Sequence, residues 1–85
     1  MKIFYTKKFE REYKKLPKEI KLKAESREKI FKKNPHAPTL KTHKLSGELG
    51  DFCSFSVDFS YRIVFEFLDN DNIFFHSIGN HDIYK

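Results

Sequence analysis

The chain has 85 residues, of which 17 are Lys or Arg and 12 are Asp or Glu, so its formal net charge is +5. This length predicts one domain, and a single cysteine excludes an internal disulfide framework. No run approaches the roughly 20 apolar residues that span a bilayer, and the N-terminal residues lack the apolar core of a signal peptide. We therefore expect a soluble protein of the cytoplasm.

The positive charge is concentrated in one segment. Residues 7–33 contain twelve Lys or Arg against five Glu, a net of +7, whereas the remaining residues have a net charge of −2. A basic field of this kind attracts RNA, DNA or an acidic protein. A solvated helix surface accounts for the same pattern equally well, so composition leaves both readings open.

The N-terminal part of the chain predicts a short strand followed by two helices. Residues 2–5 are typical of a strand, and Thr6 can cap the helix that follows it. Pro17 ends the first helix and suits the first turn of the second, which ends at Asn34-Pro35. Apolar residues recur at helical spacing throughout; they are Phe9, Tyr13, Leu16, Ile20, Ala24, Ile30 and Phe31.

The C-terminal part predicts a connection and then three strands. In the connection, residues 35–51, Leu40 and Leu45 are expected to contact the core. The period of the apolar residues then changes to two, because Cys53, Phe55, Val57 and Phe59 alternate with polar residues. The next predicted strand runs from Tyr61 to Phe67. A turn at 69–72 leads into the last strand, from Ile73 to Ile78. The predicted fold class is α+β with the order β-α-α-β-β-β, a small antiparallel sheet with the basic helical hairpin on one face. The sequence does not fix where the first strand joins this sheet.

The sheet face opposite the helices is the predicted location of any chemistry. Ser54, Ser56, Asp58, Arg62 and Glu66 are candidates for this face. Arg62 lies within an aromatic strand, where an unpaired cation is costly. It either forms a structural pair with Asp58 or Glu66, or it binds phosphate oxygens through two guanidinium donors.

Two of the four histidines are candidates for acid–base chemistry. His36 is predicted to be solvated, and His76 to be packed or hydrogen-bonded within a strand. His43 lies in LKTHKLSG beside Lys41 and Lys44, which are predicted to contact RNA, and His81 follows the last strand. Two imidazoles and the Arg62 cation could supply a base, an acid and charge stabilisation for cleavage of a phosphodiester.

The C-terminal residues are predicted to complete this site. Gly79 permits a sharp turn that would bring His81 and Tyr84 to the open face beside Arg62. Tyr84 could stack on a base, donate a proton, or simply pack the C-terminus against the domain. A zinc site is disfavoured, because no close His/Cys pair has a ligand spacing.

These segments together resemble a known superfamily. A short strand, a basic hairpin, LKTHKLSGELGDFCSFSVDFSYRIVFEF and IFFHSIGNHDIYK resemble the RelE/ParE toxins of bacterial and archaeal toxin–antitoxin systems. The segments HKLSG and IGNHDIY most resemble the YafQ-like branch of messenger RNA interferases. The resemblance implies a ribosome-dependent endoribonuclease that cuts mRNA by attack of the 2′-OH without a metal or other cofactor, and an antitoxin partner that is typically acidic.

The resemblance also implies roles for individual residues. His43 and His81 would be the acid–base residues, Arg62 would contact the scissile phosphate, and Tyr84 lies at or next to the terminal aromatic position of the family. Some YafQ-like members carry a further histidine where this chain has Ser56 or Ser60 nearby. ParE-like members inhibit DNA gyrase instead of cutting RNA, which leaves a gyrase inhibitor, and a basic binding module without toxic activity, as alternatives.

Overall fold

The structure, a computed structural model, describes residues 1–45 and 51–80, which contain two α-helices, one short 3-10 helix and five strands. The elements are β1 (Lys2–Tyr5), α1 (Lys7–Lys14), α2 (Lys18–Lys33), a 3-10 helix (Pro38–Leu40), β2 (His43–Lys44), β3 (Cys53–Ser56), β4 (Tyr61–Phe67) and β5 (Asn72–Asn80). This arrangement confirms the predicted α+β class and the helical hairpin. Neither helix, within the described ranges, is long and apolar enough to cross a membrane.

The sheet has the strand order β1-β5-β4-β3-β2. The pairs β3–β4 and β4–β5 are antiparallel, as predicted, and so is β2–β3. Strand β1 pairs in parallel with β5, with Ile3 opposite Ile73. The sheet is therefore mixed rather than antiparallel. The two-residue strand β2 was not predicted, because two residues are too short to show a period.

Thr6 fixes the junction between the first strand and the hairpin. Its Oγ1 accepts a hydrogen bond from the N–H of Phe9 at 2.9 Å, which confirms the predicted cap. The same hydroxyl donates to the carbonyl of His76 in β5 at 2.8 Å. The residue that caps α1 therefore also contacts the last strand. Glu12 of α1 forms a second hydrogen bond to this strand, since its side chain accepts from the N–H of Ile78 at 3.1 Å.

A cluster of phenylalanine rings holds the helices on the sheet. Phe31 of α2 is fully buried, and its ring centroid lies 4.8 Å from Phe55, 4.9 Å from Phe65 and 5.5 Å from Phe75. Aromatic pairs at these separations contribute about 0.5–1.5 kcal/mol beyond the area they bury. The helical period is confirmed, since Phe9, Ala24 and Phe31 are buried and Tyr13, Leu16, Ile20 and Ile30 pack against them. Leu40 is also buried, as predicted, whereas Leu45 is half-buried outside this cluster.

A β-bulge in β5 changes which side chains face the core. Val64 pairs with Ser77 but Phe65 pairs with Phe75, so His76 is an extra residue in β5. Phe75 and Ile78 can therefore both face the helices, which strict alternation from Phe75 does not allow. His76 is hydrogen-bonded to Glu66 at 3.1 Å, as expected for a structural histidine.

Two details of the predicted strands are wrong. Phe59 was placed on the buried face, but it lies in the turn after β3 and is 92% exposed, because the strand ends at Ser56. Gly79 was expected to turn the chain, but β5 continues through Asn80 and Gly79 pairs with Arg62. A glycine there leaves the space beside the Arg62 side chain unfilled.

Replacing Phe31 by Ala should remove the centre of this core. We expect the free energy of unfolding to fall by about 3–5 kcal/mol, because the substitution removes a fully buried ring and leaves a cavity. Urea denaturation measures this change. Phe59→Ala is the matched control, since the same substitution at an exposed position should change stability by less than about 0.5 kcal/mol. A similar loss for both variants would contradict this description of the core.

Candidate active site

The helix-free face of the sheet carries two of the predicted site residues that the structure describes, His43 and Arg62. Ser56, Arg62 and Gly79 form one row across β3, β4 and β5. His43 faces the same side one strand further out, because it pairs with Ser54, two residues before Ser56. From the normal spacing of strands and residues, the Cα atoms of His43 and Arg62 lie about 12 Å apart. Their side chains can reach the same space above β3.

Arg62 is positioned by a serine on the neighbouring strand. Its Nη1 donates to Oγ of Ser56 at 2.7 Å, and this hydroxyl donates its own proton to the carbonyl of Asp58 at 2.8 Å. The Ser56 hydroxyl is thus held as an acceptor toward the guanidinium. A guanidinium has five N–H donors, so this contact orients Arg62 and leaves most of its donors for other groups.

Asp58 and Glu66, the two carboxylates that the sequence suggested as partners of Arg62, bind other groups. Oδ1 of Asp58 accepts from the N–H groups of Ser60 at 2.9 Å and Tyr61 at 2.8 Å, and Oδ2 lies 3.5 Å from Nζ of Lys23. Glu66 is bound to His76. Among residues 1–45 and 51–80, no carboxylate lies within 4.0 Å of the Arg62 guanidinium. The structural pairing with Asp58 or Glu66 is therefore not formed, and the half-buried cation faces this side of the sheet without a described anionic partner.

The turn that contains Asp58 keeps this carboxylate charged. Burial by itself would raise the pKa of Asp58, but the backbone N–H groups of Tyr61 and Ser60 and the ammonium of Lys23 outweigh it, and the net effect is a lowered pKa. These groups all favour the ionised form. Asp58 is consequently a structural carboxylate of the β3–β4 turn.

His43 has the surroundings of a base. Its Nδ1 lies 3.1 Å from the carbonyl of Lys41, and its Nε2 lies 3.5 Å from Oγ of Ser54. A carbonyl can only accept, so a neutral His43 carries its proton on Nδ1, and its Nε2 is an acceptor that faces the hydroxyl of Ser54 on the helix-free face. The side chain is exposed, which leaves it accessible to a substrate.

Lys41 adopts an unusual backbone conformation beside His43. Its φ is +52°, a left-handed value that costs a non-glycine residue about 1–2 kcal/mol. Its N–H donates to the carbonyl of Pro38, closing the 3-10 turn. This turn brings the Lys41 carbonyl to the His43 ring, so the strained residue orients the imidazole.

A concavity of about 550 Å³ lies beside the β3–β4 turn. Its described lining has three cations against one carboxylate, so these residues give it a positive field. The Nε of Arg27 is fixed to the carbonyl of Val57 at 3.1 Å. The sequence did not indicate Arg27 or Phe59 as site residues. Arg27 is one of twelve cations in the helical segment, and Phe59 continues the alternating pattern of the predicted strand. The lining residues are Arg27, Thr39, Lys41, Ser56, Asp58, Phe59 and Arg62.

Lys44, also a predicted site residue, lies apart from His43 and Arg62. Lys44 is exposed and alternates with His43 on β2, so it lies toward the other face, opposite Cys53. Burial raises the pKa of the Cys53 thiol, with Lys44 partly opposing this effect, so the thiol is protonated rather than a nucleophile. His81 and Tyr84, predicted as catalytic residues, lie outside the described residues.

A second cavity, of about 340 Å³, lies between the helices and the sheet. Its walls are aromatic and acidic: the hydroxyl of Tyr5 donates to Glu28, and that of Tyr13 donates to Glu25 at 3.1 Å. Burial and the adjacent glutamates raise the pKa of both tyrosines, so both remain protonated. The negative lining is opposite in sign to that of the first cavity and is unsuited to a phosphate.

The fold and the cationic face define a small α+β protein in which two α-helices cover one side of a five-stranded sheet. The sequence model of a family described as the ParE toxin of type II toxin–antitoxin systems, parDE, matches residues 3–83. Since the match covers nearly the whole chain, this protein belongs to that family, and the predicted membership of the RelE/ParE superfamily is confirmed.

Solved structures support the same fold. YafQ from E. coli strain BL21(DE3) superposes with a TM-score of 0.80 at 19% identity, covering 96% of this chain and 94% of YafQ. A YoeB/ParE toxin from Agrobacterium tumefaciens gives 0.79 at 18% identity, with 95% and 99% covered. The E. coli DinJ–YafQ toxin–antitoxin complex gives 0.76 at 19% identity, with 95% and 92% covered. No protein of curated function matches the sequence significantly.

Neutralising Asp58 should destabilise the turn that supports this site in a pH-dependent manner. Because the folded-state pKa is lowered, the stabilisation is fully present above the unfolded pKa of about 4 and disappears as the pH falls through the folded value. We expect Asp58→Asn to lower the free energy of unfolding by about 1 kcal/mol near neutral pH. The difference from the original chain should shrink as the pH is lowered below about 4.

Urea denaturation at several pH values measures this effect. The control is Asp71→Asn, at an exposed position in the β4–β5 turn, which should match the original chain at each pH. A difference between Asp58→Asn and the original chain that is independent of pH would contradict the charge assignment.

Proposed function

We propose that this toxin is an endoribonuclease that cleaves messenger RNA on the ribosome and so inhibits translation. The observation that carries the proposal is the placement of an oriented imidazole, the exposed His43, and an arginine without a described carboxylate partner, Arg62, on one face of the sheet. The YafQ fold similarity is consistent with it. His81 and Tyr84 enter the proposal from the resemblance alone.

The proposed reaction is an internal transfer at phosphorus. The Nε2 of His43 takes the proton of the 2′-OH, the 2′-oxygen attacks the adjacent phosphorus, and the bond from phosphorus to the 5′-oxygen breaks. The leaving 5′-oxygen takes a proton from an acid, for which His81 is the candidate. Arg62 stabilises the extra negative charge on the phosphate oxygens. The products are a 2′,3′-cyclic phosphate and a 5′-hydroxyl, and every step uses side chains of the toxin without a metal ion.

The basic surface has a separate role in the proposal. Lys41 and Arg27 lie in the same positive concavity as Arg62 and can contact further phosphates of the message or of ribosomal RNA. Lys44 extends the basic surface at the edge of the sheet. Binding should therefore weaken strongly as the salt concentration rises.

We also propose that a cognate antitoxin binds this toxin. The DinJ–YafQ structure is a toxin–antitoxin complex whose toxin has the same fold as this chain. An acidic antitoxin would complement the net charge of +7 in residues 7–33. It could block the enzyme by covering the helix-free face or by displacing the C-terminal residues.

The family description favours a second candidate, inhibition of DNA gyrase in the manner of ParE-like toxins. The two functions make different demands on His43. A gyrase inhibitor needs a complementary surface, whereas the nuclease needs the titrating ring.

Replacing His43 by Ala should separate these functions. With programmed ribosomes and a defined message, we expect the cleavage rate to fall by about 10²- to 10⁴-fold, because an acid–base group is removed. The matched control His36→Ala changes another exposed histidine and should cleave normally. Primer extension maps the cut, and end-group analysis should find the cyclic phosphate.

Two results would contradict the nuclease proposal. One is an intact message with the original chain under conditions in which gyrase supercoiling is inhibited, which would support the second candidate. The other is a His43→Ala variant that cuts at the original rate, which would remove His43 from the mechanism.

A further inference from the structure

Phe59 is the most exposed large apolar side chain in the described part of the protein. It is 92% exposed, whereas the next, Leu22, is 57% exposed. Burying a phenylalanine normally contributes about 1.5–3 kcal/mol to folding, so the fold gains almost nothing from this ring. Such a residue at a turn tip is better suited to binding than to stability.

The turn that presents Phe59 is held in place on both sides. Before it, Val57 is fully buried and its carbonyl accepts from Arg27 at 3.1 Å. Within it, Asp58 accepts from the N–H groups of Ser60 and Tyr61 and pairs with Lys23. The ring is thus presented from an ordered turn, which lowers the entropy lost on binding.

The neighbours of Phe59 indicate the class of ligand. The ring lines the same concavity as Arg27, Lys41 and Arg62, and the other described lining residues, Thr39, Ser56 and Asp58, are polar. A hydrophobic protein contact would be favoured by further apolar side chains around the ring. An aromatic ring among cations is instead the combination that binds single-stranded nucleic acid, in which the base stacks and the cations hold the phosphates.

We propose that Phe59 is a stacking platform for an unpaired nucleobase of RNA. The proposal rests on the proposed function, since it adds a base subsite beside the phosphate assigned to Arg62. The base comes from the message or from ribosomal RNA, and stacking accepts any of the four bases because each has a π-face. Phe59 does not touch the reacting atoms, so it contributes to binding rather than to the chemical step.

The test measures stacking directly. Ribosomes are programmed with messages that carry 2-aminopurine at successive positions around the A-site codon, and toxin variants that also carry His43→Ala are added to prevent cutting. Stacking on an aromatic ring changes the fluorescence of this base. We expect Phe59→Leu to weaken binding by about tenfold or more and to abolish the fluorescence change. Phe59→Tyr keeps the ring and should retain both.

Two controls separate stacking from other effects. Leu22→Ala changes an exposed apolar residue on α2 and should bind normally. Thermal unfolding should be unchanged for Phe59→Leu, because the ring is exposed. If the fluorescence never changes but the ring-dependent binding remains, probing with a base-reactive reagent should find a ribosomal RNA base protected only by toxins with a ring at position 59, which supports stacking on ribosomal RNA.

The outcomes distinguish this inference from the proposed function. If the chain with His43 intact cleaves the message but Phe59→Leu binds as well as the original, the platform is overturned and the nuclease stands. If that chain leaves every message uncut but Phe59→Leu loses RNA binding, the nuclease is overturned and the platform stands. Loss of antitoxin binding with unchanged RNA binding would assign Phe59 to a protein interface and overturn the platform.

Discussion

The hydrogen bond from Arg62 to Ser56 is the interaction on which the proposed site depends. A cation within a sheet normally recruits a carboxylate, because burying an unpaired charge is costly. Here the two carboxylates that the sequence suggested have other partners: Asp58 contacts its own turn and Lys23, and Glu66 contacts His76. The serine orients the guanidinium without neutralising it. A phosphate is a natural partner for a cation held in this way.

The aromatic core makes this arrangement possible by fixing which face of the sheet is covered. Phe31 packs against Phe55, Phe65 and Phe75, so α2 is held on one face and the Ser56–Arg62–Gly79 row lies on the other. Because of the bulge at His76, Phe75 and Ile78 on either side of it both face the helices. The aromatic core and the proposed site therefore lie on opposite faces of the sheet.

Local sequence signals predicted most of the fold. The Thr6 cap, the break at Pro17 and the helical spacing of the apolar residues each depend on neighbours within a few positions, and all three are confirmed. The parallel pairing of β1 with β5 joins residues about seventy positions apart, and no local pattern encodes it. Phe59 was misplaced because an alternating pattern does not show where a strand ends.

The sequence indicated which residue types form the candidate site, but it did not indicate how they are arranged. Arg62 and His43 could be singled out from the sequence, since few side chains supply those chemistries. That Ser56 rather than Asp58 or Glu66 would contact Arg62 depends on which partners the carboxylates find in three dimensions. Arg27 lines the cavity because α2, which contains it, packs beside the β3–β4 turn.

The most direct measurement is NMR of the arginine side chains in ¹⁵N-labelled toxin during titration with a short single-stranded RNA. His43→Ala prevents cutting, and Arg11, exposed on α1, serves as the internal reference. Arg62 should show saturable shifts of its guanidinium signals, which reverse with added salt, while those of Arg11 stay nearly constant. Binding of the RNA with the Arg62 signals unchanged would contradict the central claim that this cation is held ready for a phosphate.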